Sequence, residues 1–363
     1  MITTVVSFII VLGIIVFVHE FGHFLAAKLS GVRVEVFSLG FPPKMLSRRI
    51  GETEYQIAWI PLGGYVKMTG MLDESFDRDF DPNDPRCFVA QPFHKRFFII
   101  SAGVAMNMLL GLSLYSGIYW AEGIPVNAKI DTTISEVASG SPAEQAGIRP
   151  GDRIIEAAGE PTPEWGDLVK VIHRYPGAPI TVTWIHTDSS GHDTTISKQI
   201  TPAVAPLLGF KRKSVGKLGV IAEVERRRIG PLTALVYGTD QVIGVLVTNV
   251  ISLYWLLSGQ AHIRELTGPV GIARESGRSA RSGLASFVMF IAFISVSIGF
   301  LNILPIPMLD GGYLLFMCVE AVIRRPIPEK LKLNLIRIGL ALLIALVLVV
   351  SYHDILRIFF KNE

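Results

Sequence analysis

A bilayer's hydrocarbon core takes about 20 consecutive apolar residues to cross as a helix. Three stretches of this chain reach that length: about Thr4–Ala26, Phe97–Ala121 and Gly283–Leu304. Backbone in lipid must satisfy its own hydrogen bonds, so these runs are read as helices. A fourth, about Leu335–Tyr352, is slightly short and carries Arg337 near one end, where a long side chain can snorkel to the surface. Leu232–Gly259 is also apolar, but Asp240, Gln241 and Asn249 interrupt it. It reads as one or two amphipathic helices lying against the membrane. The expected class is a polytopic α-helical membrane protein with about four transmembrane helices.

Composition agrees. Half of the 363 residues are hydrophobic and only 18% are charged, where a soluble domain of this length carries more charge. A net charge of +3 is too weak to suggest nucleic acid as a partner. Cys87 and Cys318 form neither a CxxC pair nor a disulfide framework, which sets aside redox chemistry and cysteine-ligated zinc. "MITT" lacks a basic leader, so the first run is expected to be retained.

Lysine and arginine set the expected orientation. The loop between the first two runs carries Arg33, Lys44, Arg48, Arg49, Lys67, Arg78, Arg86, Lys95 and Arg96, and the loop before the last carries Arg324, Arg325, Lys330 and Lys332. Both read as cytoplasmic. Both termini, and the segment from about Glu122 to Ser282, then lie outside.

Between Ile124 and Val224 the composition is that of an ordinary soluble domain. In "SGSPAEQAGIRPGDRIIEAAGEP", Ser141-Pro142 with Glu144 reads as a helix start, Gly147 as its stop, and "DRIIEA" as a strand. "EWGDLVKVIHRY" reads as a second helix, and "PITVTWIHTD" with "DTTISKQITPA" as a strand pair. The S-P-A-x-x-A-G-[IL]-x-x-G-D-x-[IL] pattern resembles a PDZ domain. Such domains bind an extended peptide as an added strand.

Inside the first apolar run stands "FVHEFGH". On a helix His19 and His23 share a face one turn apart, and Glu20 lies about 100° around. Two neutral imidazoles so placed can chelate zinc, with Glu20 beside the open position as general base. Each ionisable group deep in lipid costs about 2.5–3.5 kcal/mol, so three together need compensation. The alternative is a metal-free histidine–glutamate cluster joining helices. Zinc needs a third protein ligand, and "NILPIPMLDGGYLL" offers Asp310 after Pro305 and Pro307 break the third run. The bland reading of Asp310 is a helix-capping role.

Direction supplies a check. His19 and His23 lie about 22–29 Å along an inward-running helix, in its cytoplasmic half. The third run brings Asp310 to that depth only if it too runs inward. That condition favours Leu232–Gly259 lying flat rather than crossing.

H-E-F-G-H in the first helix, one PDZ-like domain and N-x-x-P-x-P-x-L-D-G-G near the end resemble the site-2 protease family, most of all the bacterial regulator of sigma-E protease group. The resemblance spans nearly the whole chain. It implies Zn2+ held by His19, His23 and Asp310, catalytic Glu20, and Asn302 in contact with substrate. It further implies that "GVRVEVFSLGF" and "TEYQIAWIPLGGYVKM" form a membrane-associated β-hairpin-like sheet near the site, whose edge strand could receive an unwound substrate by strand addition. Departures are Gly40-Phe41-Pro42 where members often have G-F-G, Gly103-Val104-Ala105-Met106-Asn107 where many carry G-P-x-x-N, and room for one PDZ domain where one well-known form has two.

The expected organisation is a first transmembrane helix with the metal motif in 1–30, a cytoplasmic-side β region and loop in 31–96 and a second transmembrane helix in 97–121. An extracytoplasmic PDZ domain follows in 122–228, amphipathic helices and a loop in 229–282, a third transmembrane helix with Asp310 in 283–323, and a loop with the fourth in 324–363. The expected activity is hydrolysis of peptide bonds in or near transmembrane segments of single-span membrane proteins already trimmed by another protease, in a bacterial inner membrane with the site toward the cytoplasm. The PDZ domain would gate access. Rival readings are a catalytically inactive PDZ-presenting scaffold and an ion transporter; the latter lacks ionisable residues staged through several helices.

Overall fold

The computed structural model describes residues 2–71, 81, 83–125, 131–138, 140–188, 190–206, 214–222, 226–262 and 266–359. Arg78, one of the loop cations used for orientation, lies outside the described residues. Contacts divide the chain into two compact units: residues 1–119, 231–253 and 262–363, and residues 120–230 with 254–261. The first contains helices α1 (Ile2–Ser30), α2 (Phe93–Glu122) and most of α5 (Pro231–Leu257). It also holds α6 (Pro269–Arg281), α7 (Leu284–Ile303), α8 (Asp310–Ile323), α9 (Glu329–Phe359) and strands β1 (Val34–Ile50) and β2 (Thr53–Met68). Among the described residues five helices, α1, α2, α5, α7 and α9, are long and apolar enough to cross a membrane.

One stripe of α1 is buried: Ser7, Val11, Ile15, Gly22-His23, Ala26-Ala27 and Ser30, spaced by about one turn. Against it α2 runs antiparallel. Leu110 and Leu114 pack into the cluster around Val11 and Ile15, while Ala102 and Gly103 meet Gly22, His19 and His23. Gly22 has to be glycine, since a Cβ there would sit 2.5 Å from the Ala102 carbonyl oxygen. Helix α7 runs parallel to α1, with Ile291 and Ile294 in the same cluster as Val11 and Ile15.

For Leu232–Gly259, expected as one or two helices, the structure gives one. It forms the single 27-residue helix α5, which packs along α2 and α7: Gly238 abuts Ser116, Val245 shares a cluster with Tyr115, Ala292 and Val296, and Asn249 Nδ2 donates to Ser297 Oγ at 3.3 Å. Its polar residues interrupt the composition without interrupting the helix, because Asn249 finds a partner on α7. Helix α6 then runs back antiparallel to α1, with Ile272 beside the Val11–Ile15 cluster, Gly277 against Thr4, and Arg281 Nη1 3.5 Å from Thr4 Oγ1. That return lets α7 lie parallel to α1 whether or not α5 crosses. The direction of α7 therefore depends on α5 and α6 together, and a flat α5 is not needed to bring Asp310 to the histidines.

Strands β1 and β2 pair with each other through a register that shifts repeatedly. Ile50 faces Thr53 and Leu46 faces Ile57, Leu39 lies opposite both Ile57 and Gly64, and Val34 faces Met68. Each strand is thus bent once, and four segments lie side by side in the order 44–50, 53–60, 34–39, 64–68. Gln56 reports this order directly, donating to Ser38 Oγ at 3.0 Å and Tyr65 Oη at 2.7 Å. Phe17 and Phe24 of α1 seat the sheet through Phe37 and Tyr55, with Phe21 stacked on both Phe17 and Phe24. The first strand, expected to end near Phe41, continues through Pro42-Pro43 to Ile50. Only the 44–50 and 64–68 segments are edges, so residues 53–60 cannot receive an added strand.

The second unit is a small α+β body. Its sheet runs β6 (Glu160–Pro161), β5 (Arg153–Ala157), β7 (Ile180–Thr187), β8 (Asp193–Ile200). Three further pairs join β3 (Ile124–Pro125) to β12 (Arg226–Arg227), β4 (Ile134–Val137) to β11 (Val220–Ala222), and β9 (Ala203–Pro206) to β10 (Ser214–Lys217). Helices α3 (Pro142–Ala146) and α4 (Trp165–His173) cover a core of Ile134, Ile154, Leu168, Val182 and Trp184. Ser141 Oγ caps α3 by accepting from Glu144 N–H at 3.2 Å, and Gly147 ends it at φ +92°, as the helix signals predict.

Candidate metal centre

His19 and His23 project from α1 toward α2, and the break after α7 delivers Asp310 to meet them. That break is built from backbone contacts. Ile306 N–H donates to the Leu304 carbonyl at 2.7 Å and Leu309 N–H to Ile306 at 3.1 Å. Met308 sits at φ +91°, a conformation that costs a side-chain-bearing residue about 1–3 kcal/mol. Gly311 and Gly312 fold against this turn, and a Cβ on either would strike the carbonyls of Ile303, Leu304 or Ile306. The Gly-Gly pair is therefore required for close approach, and Asp310 opens α8 just before it.

The three donor atoms form a triangle. His19 Nε2 to Asp310 Oδ2, His23 Nε2 to Asp310 Oδ2 and His19 Nε2 to His23 Nε2 each measure 3.3 Å. Ligands about 2.0 Å from a tetrahedral zinc are separated by about 3.3 Å, so the set fits that ion without rearrangement. Asp310 Oδ2 is buried and makes no hydrogen bond, as a lone pair reserved for a cation would be. His19, His23 and Asp310 are the one such group among the described residues.

Second contacts set the tautomers. His23 Nδ1 lies 2.9 Å from the Ile99 carbonyl, which can only accept, so Nδ1 carries the proton and Nε2 is left as a base. For His19 the neighbour is Asn107, whose Nδ2 lies 3.3 Å from His19 Nδ1 while its Oδ1 is buried without a partner. After a half-turn of the carboxamide, Oδ1 accepts from His19 Nδ1–H and Nε2 is left as a base toward the triangle. Gly103, one turn from Asn107, lets α2 come this near: a Cβ there would lie 2.8 Å from His19 Cε1 and 2.7 Å from His23 Cε1. In the sequence Gly103 and Asn107 register only as parts of a departing motif. Their four-residue spacing on one helix face is the signal that marks them as partners of the histidines.

Glu20 is half-buried and lies toward the sheet, where a Cβ on Gly64 would come 3.0 Å from its Cγ. Asn302 is half-buried in the last turn of α7, outside the triangle. The site therefore brings together three donor atoms able to hold a cation, the Glu20 carboxylate and an adjacent sheet edge.

Comparison with known proteins gives the family. The chain is 33% identical over 363 residues to a putative zinc metalloprotease of Rickettsia conorii, covering 98% of this chain and 99% of that one. It is 30% identical to the zinc metalloprotease RasP of Geobacillus kaustophilus, covering 98% of each. It is 28% identical to the regulator of sigma-W protease RasP of Bacillus subtilis, covering 99% of each. The profile of Peptidase family M50 matches residues 7–346. With this match over nearly its whole length, the chain is a multi-pass zinc metalloprotease of Peptidase family M50, the site-2 protease family.

Proposed function

We propose that the protein cleaves peptide bonds in or beside the transmembrane helix of single-span membrane proteins, with His19, His23 and Asp310 as zinc ligands and Glu20 as general base. The triangle of donor atoms carries this reading, because a cation seat within an apolar helix is within reach of a substrate's own membrane helix. Zinc held there supplies Lewis-acid polarisation of the scissile carbonyl and a lowered pKa for attacking water. Glu20 takes the water's proton and returns it to the leaving amine. Asn302, in the last turn of α7, holds a substrate backbone group through its carboxamide.

A helical substrate hides its carbonyls, and each unpaired backbone group in hydrocarbon costs several kcal/mol. The 64–68 edge, whose Gly64 lies against Glu20, receives the unwound substrate as an added strand. The lysine and arginine distribution favours a site facing the cytoplasm, with both termini outside, in a bacterial inner membrane. The second unit is read as a PDZ domain over about 122–228, supported by the capped α3, the Gly147 stop and the α4 helix. Its role is to gate access, admitting membrane proteins already trimmed by another protease. Deleting residues 126–202 should then permit cleavage of untrimmed substrates, and continued exclusion argues against the gate.

The central test is metal analysis of the purified protein, followed by cleavage of a single-span substrate by wild type and Glu20→Gln. The variant should keep its zinc and lose about 10²–10⁴-fold in rate. Equal cleavage by the two proteins removes Glu20 from the chemistry.

A further inference from the structure

Away from the metal centre, a cavity of about 670 Å³ opens where the start of α2, the end of α8 and the start of α9 meet. This is the size of a small-molecule site. Among the described residues four cations line it, Arg96, Arg324, Arg325 and Lys332, against two carboxylates, Glu320 and Glu329. Glu320 is already committed: it accepts from Lys332 Nζ at 2.6 Å and from Ile327 N–H at 2.9 Å. Burial pushes its carboxyl up, but those two contacts, with the charges of Lys332 and Arg96, outweigh burial and hold it below the ordinary range. Arg324 and Arg325 have no ion pair among the described residues, and Arg96 has a buried Nε without any hydrogen-bond partner. The other described lining residues are apolar, with Val89, Phe93 and Met317 foremost.

The Arg324 and Arg325 guanidinium groups and the free Arg96 Nε, beside an apolar wall, describe a receptor for a phosphate ester with a greasy attachment. Guanidinium forks bind phosphate oxygens in pairs, and basic pockets between membrane helices take lipid headgroups. We infer that this cavity binds the phosphate of an anionic amphiphile, with Arg96, Arg324 and Arg325 on the phosphate and Phe93 and Val89 against the chain. The shared chemistry is a phosphate ester, and a soluble phosphate would use the same guanidinium groups. The site lies at the helix ends where a headgroup would stand, which places a phospholipid first.

The test uses the full-length protein in nanodiscs of phosphatidylcholine with a minority of phosphatidylglycerol, scoring retained lipid by native mass spectrometry. The variant Arg324→Gln/Arg325→Gln removes two exposed charges without emptying the core, and Arg48→Gln/Arg49→Gln removes two from the sheet arm as a control. Phosphatidylglycerol retention should fall about thirtyfold in the first variant and stay near wild type in the second. A parallel titration with inorganic phosphate in detergent identifies the source. Tight, Arg324/Arg325-dependent binding of phosphate alone keeps the site and assigns it to a soluble ester. Equal lipid retention by all three proteins, with no phosphate binding, overturns the inference. Thermal unfolding in pure phosphatidylcholine, expected to be unchanged, shows that the variant is folded.

Discussion

His23 Nδ1 bonds the carbonyl of Ile99 across 76 residues of sequence, and this contact at 2.9 Å fixes how the imidazole faces Asp310. The same bond ties α1 to α2 beside the glycine that lets them touch. Placement of the donor atoms and helix packing are therefore one structural problem here, and separating them takes variants that alter one without the other.

Asn107→Leu keeps the branched outline of the side chain and removes its hydrogen bond with His19. Loss of such an orienting partner typically costs 10–100-fold in metal affinity. We expect zinc to be stripped by about that much less chelator, measured by competition without substrate, while the detergent-solubilised protein keeps its helix content. Unchanged affinity would show that His19 needs no help from α2.

Gly103→Ala tests the close approach itself. The added methyl would stand under 3 Å from both imidazoles, and an overpacked contact costs about 1–3 kcal/mol. Gly117, on the same helix, has open space where a methyl would go, so Gly117→Ala should be neutral or slightly stabilising. Comparing zinc content and thermal stability of the two variants distinguishes a site defect from a general helix effect.

Much of this is legible in the sequence because lipid imposes strong rules. The lengths of α1, α2 and α7 follow from the span a bilayer demands, and the pairing of His19 with His23 follows from helix periodicity. Asp310 stands out because Pro305, Pro307 and two glycines mark a broken helix. What escapes depends on partners far away in the chain. Asn249 reads as an interruption because its partner Ser297 lies 48 residues further on, and residues 44–50 carry no strand signal because their pairing with 53–60 decides the conformation. The return through α6 is hidden for a related reason: its short, arginine-bearing sequence is too polar to register as a membrane element.

Asp354 is another such residue. It is buried near the end of α9, and its Oδ2 accepts the Gly271 N–H at 2.8 Å, capping the first turn of α6. Gly268 and Gly271 crowd it, each without room for a Cβ. Asp354→Ala should destabilise by about 0.5–2 kcal/mol, the usual loss of a helix cap, and Asp354→Asn should recover most of it. Hydrogen exchange localised to Pro269–Arg281 reads the effect; equal exchange in all three proteins would mean that α6 is held by its packing on α1 alone.

Glu52, in the turn between β1 and β2, accepts from Lys28 Nζ at 2.7 Å and from Arg86 Nη2 at 2.5 Å. Those hydrogen bonds hold its carboxyl down from an ordinary 4.5 to about 2. A depressed folded-state pKa means that the unfolded chain binds the proton more readily, so the contribution is complete above about pH 4.5 and disappears as pH falls toward about 2. Glu52 is about one-third exposed (32%), and solvent screening keeps the contribution to about 1 kcal/mol or less. The stability difference between wild type and Glu52→Gln should therefore be constant near neutrality and shrink through that acid window. A difference that stays level to pH 2 would mean that the turn is held by its backbone pairing, with Lys28 and Arg86 contributing nothing measurable.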